Sequence, residues 1–460
     1  MRAHFIGIKG VGISALAKIY SQRGYTVTGS DIKEDFITKP LLDSIRGLKI
    51  SDFNTKNVYH CDKIIISNAY TEKNNSEAKE CVKHNFKTLT YPEAVADVLN
   101  SMKKRSLCIA GCKGKTTTSA LLQTLMKGTK QLGGFIIGAP YQNNEANAGL
   151  AKGGYFIIEA DEYKNAYFNY SPCAKGIIIT NIFFDHPDFF PSFADTKKSF
   201  AKFINLSPKD TYILICGDFA DSKDFAKRIK RKFETYGLNA GNLWRAVNIT
   251  ENQKGIGFSV LYRGKIYKNF SAGLYGKHNI QNVLAAIVMA IKLGVPVSTI
   301  RKNLLNFPGT KRRFEVYFEN KEIAVIDDYA HHPEAISPFL EAVRQKYPSR
   351  TIIAVFQPHT FSRTKALYKE FAKSLAGADE IILTEIYGSA RENREDFNFN
   401  SEIIGNELQR FKKKAEIIKS DQLINYFKKR NLKNTAIVCM GAGDLWVKFA
   451  APFSNYLKKA

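Results

Sequence analysis

Gly111-Cys112-Lys113-Gly114-Lys115-Thr116-Thr117 lies between an apolar run, 106–110, and a helix-like run, 117–126. Two glycines, a lysine and a threonine at a strand-to-helix junction suit one chemistry above others, the gripping of phosphate. Glycine lets backbone N–H groups turn toward an anion, and the helix N-terminus adds its positive dipole end. Lys115 is placed to reach β/γ-phosphates, and the Thr116 hydroxyl to sit on Mg²⁺. The loop is shorter than the common G-x-x-x-x-G-K-[ST] form. Cys112, beside Lys113 and near a helix N-terminus, is expected to have a lowered thiol pKa, ready alkylation and protection by ATP.

Further groups with chemistry follow apolar runs. Glu159, Asp161 and Glu162 come after 155–159, and Asp185 and His186 after 176–181. A carboxylate from the first and His186 from the second are candidates to share a metal with phosphates. Mg²⁺ prefers oxygen, and the imidazole suggests tolerance of Mn²⁺. Asn279 and Asn282 are three apart on a helix-like run and share a face. They suit either an adenine edge or, for Asn279, an N-cap. Arg312 and Arg313 offer planar forks for phosphate. His359 and Arg363 suit a small carboxylate. Five of the eight histidines (His186, His278, His331, His332 and His359) sit in such motifs.

The elements that must hold these groups alternate strand-like and helix-like along all 460 residues. That pattern predicts an α/β chain with mainly parallel sheets, in three blocks: 1–104, 105–308 and 309–460. In the first, Gly7-x-x-Gly10-x-Gly12 joins a strand to a helix, and Asp31 ends a second strand. The spacing differs from G-x-G-x-x-G, so a diphosphate at the helix N-terminus is favoured over a nicotinamide dinucleotide. The last block reads as a second doubly wound sheet.

Composition excludes several classes. No apolar run approaches the roughly 18 residues of a membrane span. Absence of a leader-like start predicts a cytoplasmic location. Seven cysteines without a C-x-x-C pair argue against a disulfide framework or structural zinc. The 68 Lys and Arg against 43 Asp and Glu give a formal charge of +25. They are dispersed and accompany no nucleic-acid-binding signature, which favours a solvated basic surface over a nucleic-acid partner.

Gly-x-x-Gly-Lys-Thr-Thr-Thr, Glu-Ala-Asp-Glu, Thr-Asn-Ile-x-x-Asp-His, Gly-x-His-Asn-x-x-Asn, Arg-Arg-Phe, Asp-Tyr-x-His-His-Pro and Phe-Gln-Pro-His-x-x-Ser-Arg-Thr follow one another here. In this order they resemble the Mur ligases over nearly the whole chain, and within them the members that add L-alanine. The resemblance implies a Rossmann-like UDP-substrate domain, a central P-loop ATPase-like domain and a C-terminal Rossmann-like amino-acid domain. It implies ADP-forming amide synthesis, with ATP and Mg²⁺, between L-alanine and the lactoyl carboxylate of UDP-N-acetylmuramate, by a monomer or dimer. Lys115, Glu159 and His186 are then catalytic, with Thr116, Glu159 and His186 on metal. ATP falls to Gly111, Cys112, Lys113, Gly114, Lys115, Thr116, Thr117, Asn279, Asn282, Arg313 and Asp328. The UDP-sugar falls to Gly10, Gly12, Ser14, Asp31, Ser67 and Asn68, and L-alanine to His331, His359 and Arg363. Other Mur ligases use a carbamylated lysine after the His motif, and Lys197, Lys198 and Lys202 lie nearby without being expected to serve. Two alternatives stay open: a recycling ligase attaching a preformed peptide to the same sugar, and a basic P-loop ATPase acting on nucleic acid.

Overall fold

Apolar strand runs and amphipathic helices build three sheets in the computed structural model, which describes residues 1–34, 37–186, 189–388, 392, 395 and 397–459. The first sheet has five parallel strands in the order Lys49–Ser51, Thr26–Ser30, Arg2–Ile6, Lys63–Ile66, Thr88–Thr90. This is the 3-2-1-4-5 winding of a dinucleotide-binding fold, as expected. Ala3, Phe5 and Ile6 of the central strand are fully buried. Gly7, at φ +79°, then turns the chain toward the helix Val11–Gln22.

The second sheet has ten strands. At its centre Arg105–Ala110 lies between Tyr155–Glu159 and Ala174–Ile179, parallel to both. That adjacency brings the loops after Ala110, Glu159 and Ile179 side by side at the carboxyl ends of the strands. Ligands bind at such ends in open α/β sheets. The helix after the glycine loop, Lys115–Met126, is buried from Thr116 to Met126. It is therefore held on all sides and cannot tilt freely.

The third sheet has the order Glu315–Glu319, Ile323–Asp328, Thr435–Met440, Thr351–Phe356, Glu380–Leu383, Ala415–Ile417. Its first pair is antiparallel and the rest parallel. The chain forms two compact units. One contains residues 1–249, 257–272 and 279–308, so it holds the first sheet and the core of the second. The other contains 250–256, 273–278 and 309–460. Two short pieces of the expected middle block thus fold with the third sheet. Gln345 ties them there, accepting from Gly276 N–H at 2.7 Å and donating to Asn252 O at 3.1 Å. Among the described residues, no helix is long and apolar enough to cross a membrane.

An aromatic stack positions the acidic segment of the second sheet. Tyr167, fully buried, lies between Phe168 and Phe203, with ring centroids at 5.1 and 4.5 Å and interplanar angles of 7° and 11°. Its hydroxyl meets Ser199 Oγ at 2.7 Å. The segment Tyr163–Asn169 is thereby fastened to the helix Phe193–Asn205. Phe203→Ala should destabilise the first unit by about 3–5 kcal/mol, the usual cost of emptying a buried aromatic site. Chemical denaturation followed by tyrosine fluorescence reads this directly.

Candidate active site

The glycine loop is shaped by neighbours that leave no room for side chains. Gly111 has φ +133°, and a Cβ there would stand 2.1 Å from Thr180 Oγ1. Gly114, at φ +82°, caps the helix, and its Cβ would stand 2.5 Å from Asn282 Oδ1. Asn181 clamps the loop. Its Oδ1 accepts from Lys113 N–H at 2.9 Å, its Nδ2 donates to Lys113 O at 3.0 Å, and its carbonyl accepts from Cys112 N–H at 3.2 Å. Thr180 adds a bond to Lys113 O at 2.6 Å. The amides of Cys112 and Lys113 therefore serve the loop's own shape. The first intrahelical bond is Thr118 N–H to Gly114 O at 2.9 Å. The amides of Lys115, Thr116 and Thr117 precede it at the helix mouth, where an anion is favoured.

Side chains converge on that mouth from the neighbouring strand ends. Lys115 Nζ donates to Gly111 O and to Glu162 Oε2, each at 2.7 Å, with Asp161 at 3.9 Å. Burial disfavours its ammonium, but Glu162 and Asp161 outweigh it and raise the pKa. Burial pushes Glu162 up to about 7, against the pull of Lys115. Thr116 Oγ1 donates to Glu159 Oε2 at 3.2 Å, and Gly138 N–H donates to Glu159 Oε1 at 2.5 Å. His186 has φ +56°, and its ring lies 4.8 Å from that of Tyr163. Its Nε2 is 4.0 Å from Glu162 Oε1. Asp161, Glu162 and His186 bring ligand atoms within 4.8 Å of one another. The carboxylates, the Thr116 hydroxyl and one imidazole form an oxygen-rich set. Glu162 Oε1 is also buried with no hydrogen-bond partner. This set fits a hard divalent cation.

Asn279 and Asn282 are both buried and bonded to each other at 3.1 Å. Asn282 Oδ1 also accepts from Thr118 at 3.2 Å, so this residue braces the loop and its helix. Lys113 reaches Asp185 at 3.4 Å. Lys197 is paired with Asp221 and Asp224 at 3.0 and 2.8 Å.

In the first sheet, Gly10 precedes the helix and Ser14 N–H bonds back to Gly10 O at 2.8 Å. The Ser14 hydroxyl is buried on Val11 O at 3.0 Å. Asp31 accepts from Lys9 N–H at 2.7 Å, Ile32 N–H at 2.9 Å and Tyr70 OH at 3.3 Å, which fixes the loop from beneath. Ser67 continues the sheet through Ile6 O, and Asn68 is exposed. Gly12 faces the Tyr91 ring, 3.1 Å from where its Cβ would be. Burial, then Glu159 and Asp161, raise the pKa of Tyr91.

The second unit gathers the other candidates. Arg312 is buried. It donates to Asp327 at 3.1 Å and to the carbonyls of Gly443 and Gly441 at 3.2 and 2.6 Å. That makes it a strut. Arg313 lies over the Tyr329 ring at 5.0 Å, and Arg312 lies over the same ring at 5.1 Å. Asp328 accepts from Phe314 N–H and Ala330 N–H, each at 2.8 Å, and ties the arginine turn to the strand end. His331 and His359 stand ring to ring at 6.2 Å and 90°. Arg363 Nη1 donates to His359 O at 3.0 Å. The three residues expected to hold an amino acid therefore share one end of the sheet, with Tyr387 stacked on His359.

Family models match the chain in three consecutive stretches. These are the Mur ligase family catalytic domain at 2–103, the Mur ligase middle domain at 109–290 and the Mur ligase glutamate ligase domain at 312–443. The chain is 34% identical to the UDP-N-acetylmuramate–L-alanine ligase of Desulfitobacterium hafniense (strain Y51) over 449 residues, which is 97% of this chain and 98% of that one. The chain belongs to the Mur ligase family. A protein of the same name from Streptococcus pyogenes serotype M18 is 36% identical over 447 residues, covering 96% of this Mur ligase and 95% of its relative. The crystal structure of UDP-N-acetylmuramate–alanine ligase from Thermotoga maritima matches with a TM-score of 0.84 at 25% identity, covering 100% and 99% of the two chains. A murein peptide ligase from Psychrobacter arcticus shares the fold, with a TM-score of 0.74 at 22% identity.

One expectation for this Mur ligase needs correction. Cys112 is not an activated thiol: burial pushes its pKa up, and its sulfur is enclosed against the backbone of Phe183 at 3.3 and 3.4 Å. Asp161, Glu162 and His186 bring their ligand atoms together, and Glu159 meets Thr116 beside them. Sequence reasoning missed the clamp by Asn181, although its Thr-Asn motif at a strand end was visible. It also missed Tyr91 and Tyr387, which had no motif to mark them.

Asn181→Ala removes both side-chain bonds to the loop. At about 1–3 kcal/mol for the pair, it should raise the KM for ATP at least about fivefold in steady-state kinetics. In the second unit, burial lowers His278 from 6.5 to about 4. It is then neutral when folded but takes a proton when unfolded below pH 6.5, so stability should fall as pH drops from 6.5 toward 4. Melting temperatures across this range should slope less steeply in His278→Gln than in the parent.

Proposed function

We propose that this Mur ligase joins L-alanine to the lactoyl carboxylate of UDP-N-acetylmuramate at the cost of ATP, a cytoplasmic step of peptidoglycan precursor synthesis. The carrying observation is the convergence of Lys115, Thr116 and Glu159 on the mouth of the glycine loop at adjacent strand ends. The curated relatives of that name, at 34–36% identity over nearly the full chain, support the substrate pair.

In this reading the carboxylate oxygen attacks the γ-phosphorus of ATP and ADP leaves. The alanine amine then attacks the acyl carbon, and phosphate departs as the amide forms. The first-turn amides and the Lys115 ammonium hold the phosphate tail and neutralise charge that grows on the moving phosphoryl group. Thr116 and Glu159 would hold Mg²⁺, with His186 beside a second position. The ion supplies Lewis-acid stabilisation of the phosphate oxygens. Asn279 and Arg313 are the remaining candidates for the nucleotide. Gly10, Gly12, Ser67 and Asn68 line the end of the first sheet where a diphosphate fits. His331, His359 and Arg363 face the amino acid, with Arg363 as the fork for its carboxylate.

Phosphate release should require ATP, UDP-N-acetylmuramate and L-alanine together. Release with a preformed tripeptide in place of alanine would favour the recycling ligase, and stimulation by DNA or RNA would favour the nucleic-acid ATPase. Lys115→Ala should lower turnover at least about 100-fold, the scale for losing one transition-state charge partner. Arg363→Ala should act mainly on the KM for alanine, raising it about tenfold or more while kcat changes less.

A further inference from the structure

Parallel strands all begin at one end of a sheet, so residues far apart in sequence meet there when each precedes a strand. Six neighbouring strands of the second sheet run parallel, in the order Glu234–Gly237, Tyr212–Cys216, Ala174–Ile179, Arg105–Ala110, Tyr155–Glu159, Leu132–Ile136. At about 4.8 Å between strands, their amino ends form a row about 24 Å wide. Basic residues stand at or just before every one of these starts. Lys230, Arg231 and Lys232 precede the first strand and Lys209 the second. Lys175 opens the third, Lys103, Lys104 and Arg105 lead into the fourth, and Lys152 and Lys130 precede the last two. Hydrogen bonds tie these segments together across the row. Arg231 donates to the carbonyls of Ser207 and Pro208, and Lys104 donates to Gly153 O. Arg105 and Lys175 meet Asp210 at 2.8 and 3.0 Å. The acids beside these starts are thus already engaged, Asp210 by those two cations and Glu234 by Lys292 at 2.9 Å. Lys103, Lys130, Lys152, Lys209, Lys230 and Lys232 are exposed and make no ion pair among the described residues. Glu159, Asp161, Glu162 and Asp185 lie beyond the opposite ends of the same strands, so charge is separated along the sheet. Cations dispersed in sequence become one face because the topology is parallel.

The chemistry of the face selects its partner. Its arginine forks are occupied, Arg105 by Asp210 and Arg231 by carbonyls, so two-oxygen recognition of a single phosphodiester falls to no free guanidinium in the row. The exposed charges are ammonium groups on flexible stems, which suit diffuse attraction to a plane of negative charge. Leu206, 53% exposed, follows the helix Phe193–Asn205 immediately before Ser207 and puts an apolar side chain beside the lysines. Within the row a cleft of about 310 Å³ is lined by Lys103, Lys104, Arg105, Pro172, Cys173 and Pro208 among others, and no aromatic ring lines it on which a base could stack. We propose that the amino-end face of the second sheet is a docking surface for an anionic lipid bilayer, with headgroup phosphates against the lysine row and Leu206 entering the headgroup layer. This inference is independent of the substrate assignment. The glycine loop is at the other end of the same strands, so the docked face leaves the phosphate site open to solvent.

The test is co-sedimentation of the full-length protein with vesicles of equal parts phosphatidylglycerol and phosphatidylcholine, against vesicles of phosphatidylcholine alone. The parent should partition at least about tenfold more strongly to the anionic vesicles, and the preference should vanish at about 1 M salt, where charge is screened within about 3 Å. Lys209→Glu combined with Lys232→Glu should weaken anionic-vesicle binding at least about tenfold. Lys198→Glu combined with Lys223→Glu makes the same change in net charge toward the opposite end of the sheet, and should weaken it by less than about threefold. Melting temperature and vesicle-free phosphate release should be unchanged in the Lys209–Lys232 double variant, which shows that fold and catalysis are intact. Equal partition of the parent to both kinds of vesicle overturns the surface. Equal losses in the two double variants also overturn it, because net charge alone then explains the binding. Retention of an RNA probe without preference for anionic vesicles assigns the face to nucleic acid and overturns it as well.

Discussion

Asn181 holds the peptide of Lys113 from both sides, and the geometry of the nucleotide-type site depends on that clamp. The loop can lie this close to Thr180 and Asn181 only because Gly111 carries no side chain, and to Asn282 only because Gly114 carries none. Pinning Lys113 sets where the buried helix Lys115–Met126 begins, hence where the three first-turn amides, the Lys115 ammonium and the Thr116 hydroxyl stand. Asn282 braces the same corner through Thr118. A phosphate cradle built this way is rigid before any ligand arrives, which is how a site reduces reorganisation during reaction.

Charge is the second constraint. Glu159, Asp161 and Glu162 crowd one corner, and within it Lys115 is the cation that offsets them. Burial works against both Lys115 and Glu162, yet their contact keeps the lysine charged. Removing either partner would leave the other charge buried, which costs more than the pair contributes. The excess of carboxylates explains why the corner suits divalent cations and, through them, polyphosphate.

The second unit solves a different problem with a similar sheet. Arg312, Asp327 and the carbonyls of Gly441 and Gly443 lock three strand ends together, and burial pushes Asp327 up to about 6 despite the arginine. On that support His331, His359 and Arg363 form a cationic and aromatic cluster, suited to a small carboxylate. Of two adjacent arginines, both lie over Tyr329, and Arg312 is also a strut.

Much was legible in the chain itself, because strand, glycine loop and helix follow from local rules of spacing and backbone freedom. The α/β class, the phosphate loop, the strand-end carboxylates and the histidine motifs are all of this kind. Tertiary structure decided what depends on neighbours distant in sequence. Cys112 looked activated beside Lys113, but burial against Phe183 reverses its pKa. Asn282, a candidate ligand contact, also braces the loop against Gly114 and Thr118. His186 Nε2 comes within 4.0 Å of Glu162 Oε1, a distance that no local rule of the chain sets. Sequence determined which groups reach the carboxyl ends of the strands, since that is a matter of order along the chain. Only packing decided which of them meet and what charge they keep, since solvent exclusion and contact distances arise when separate segments come together.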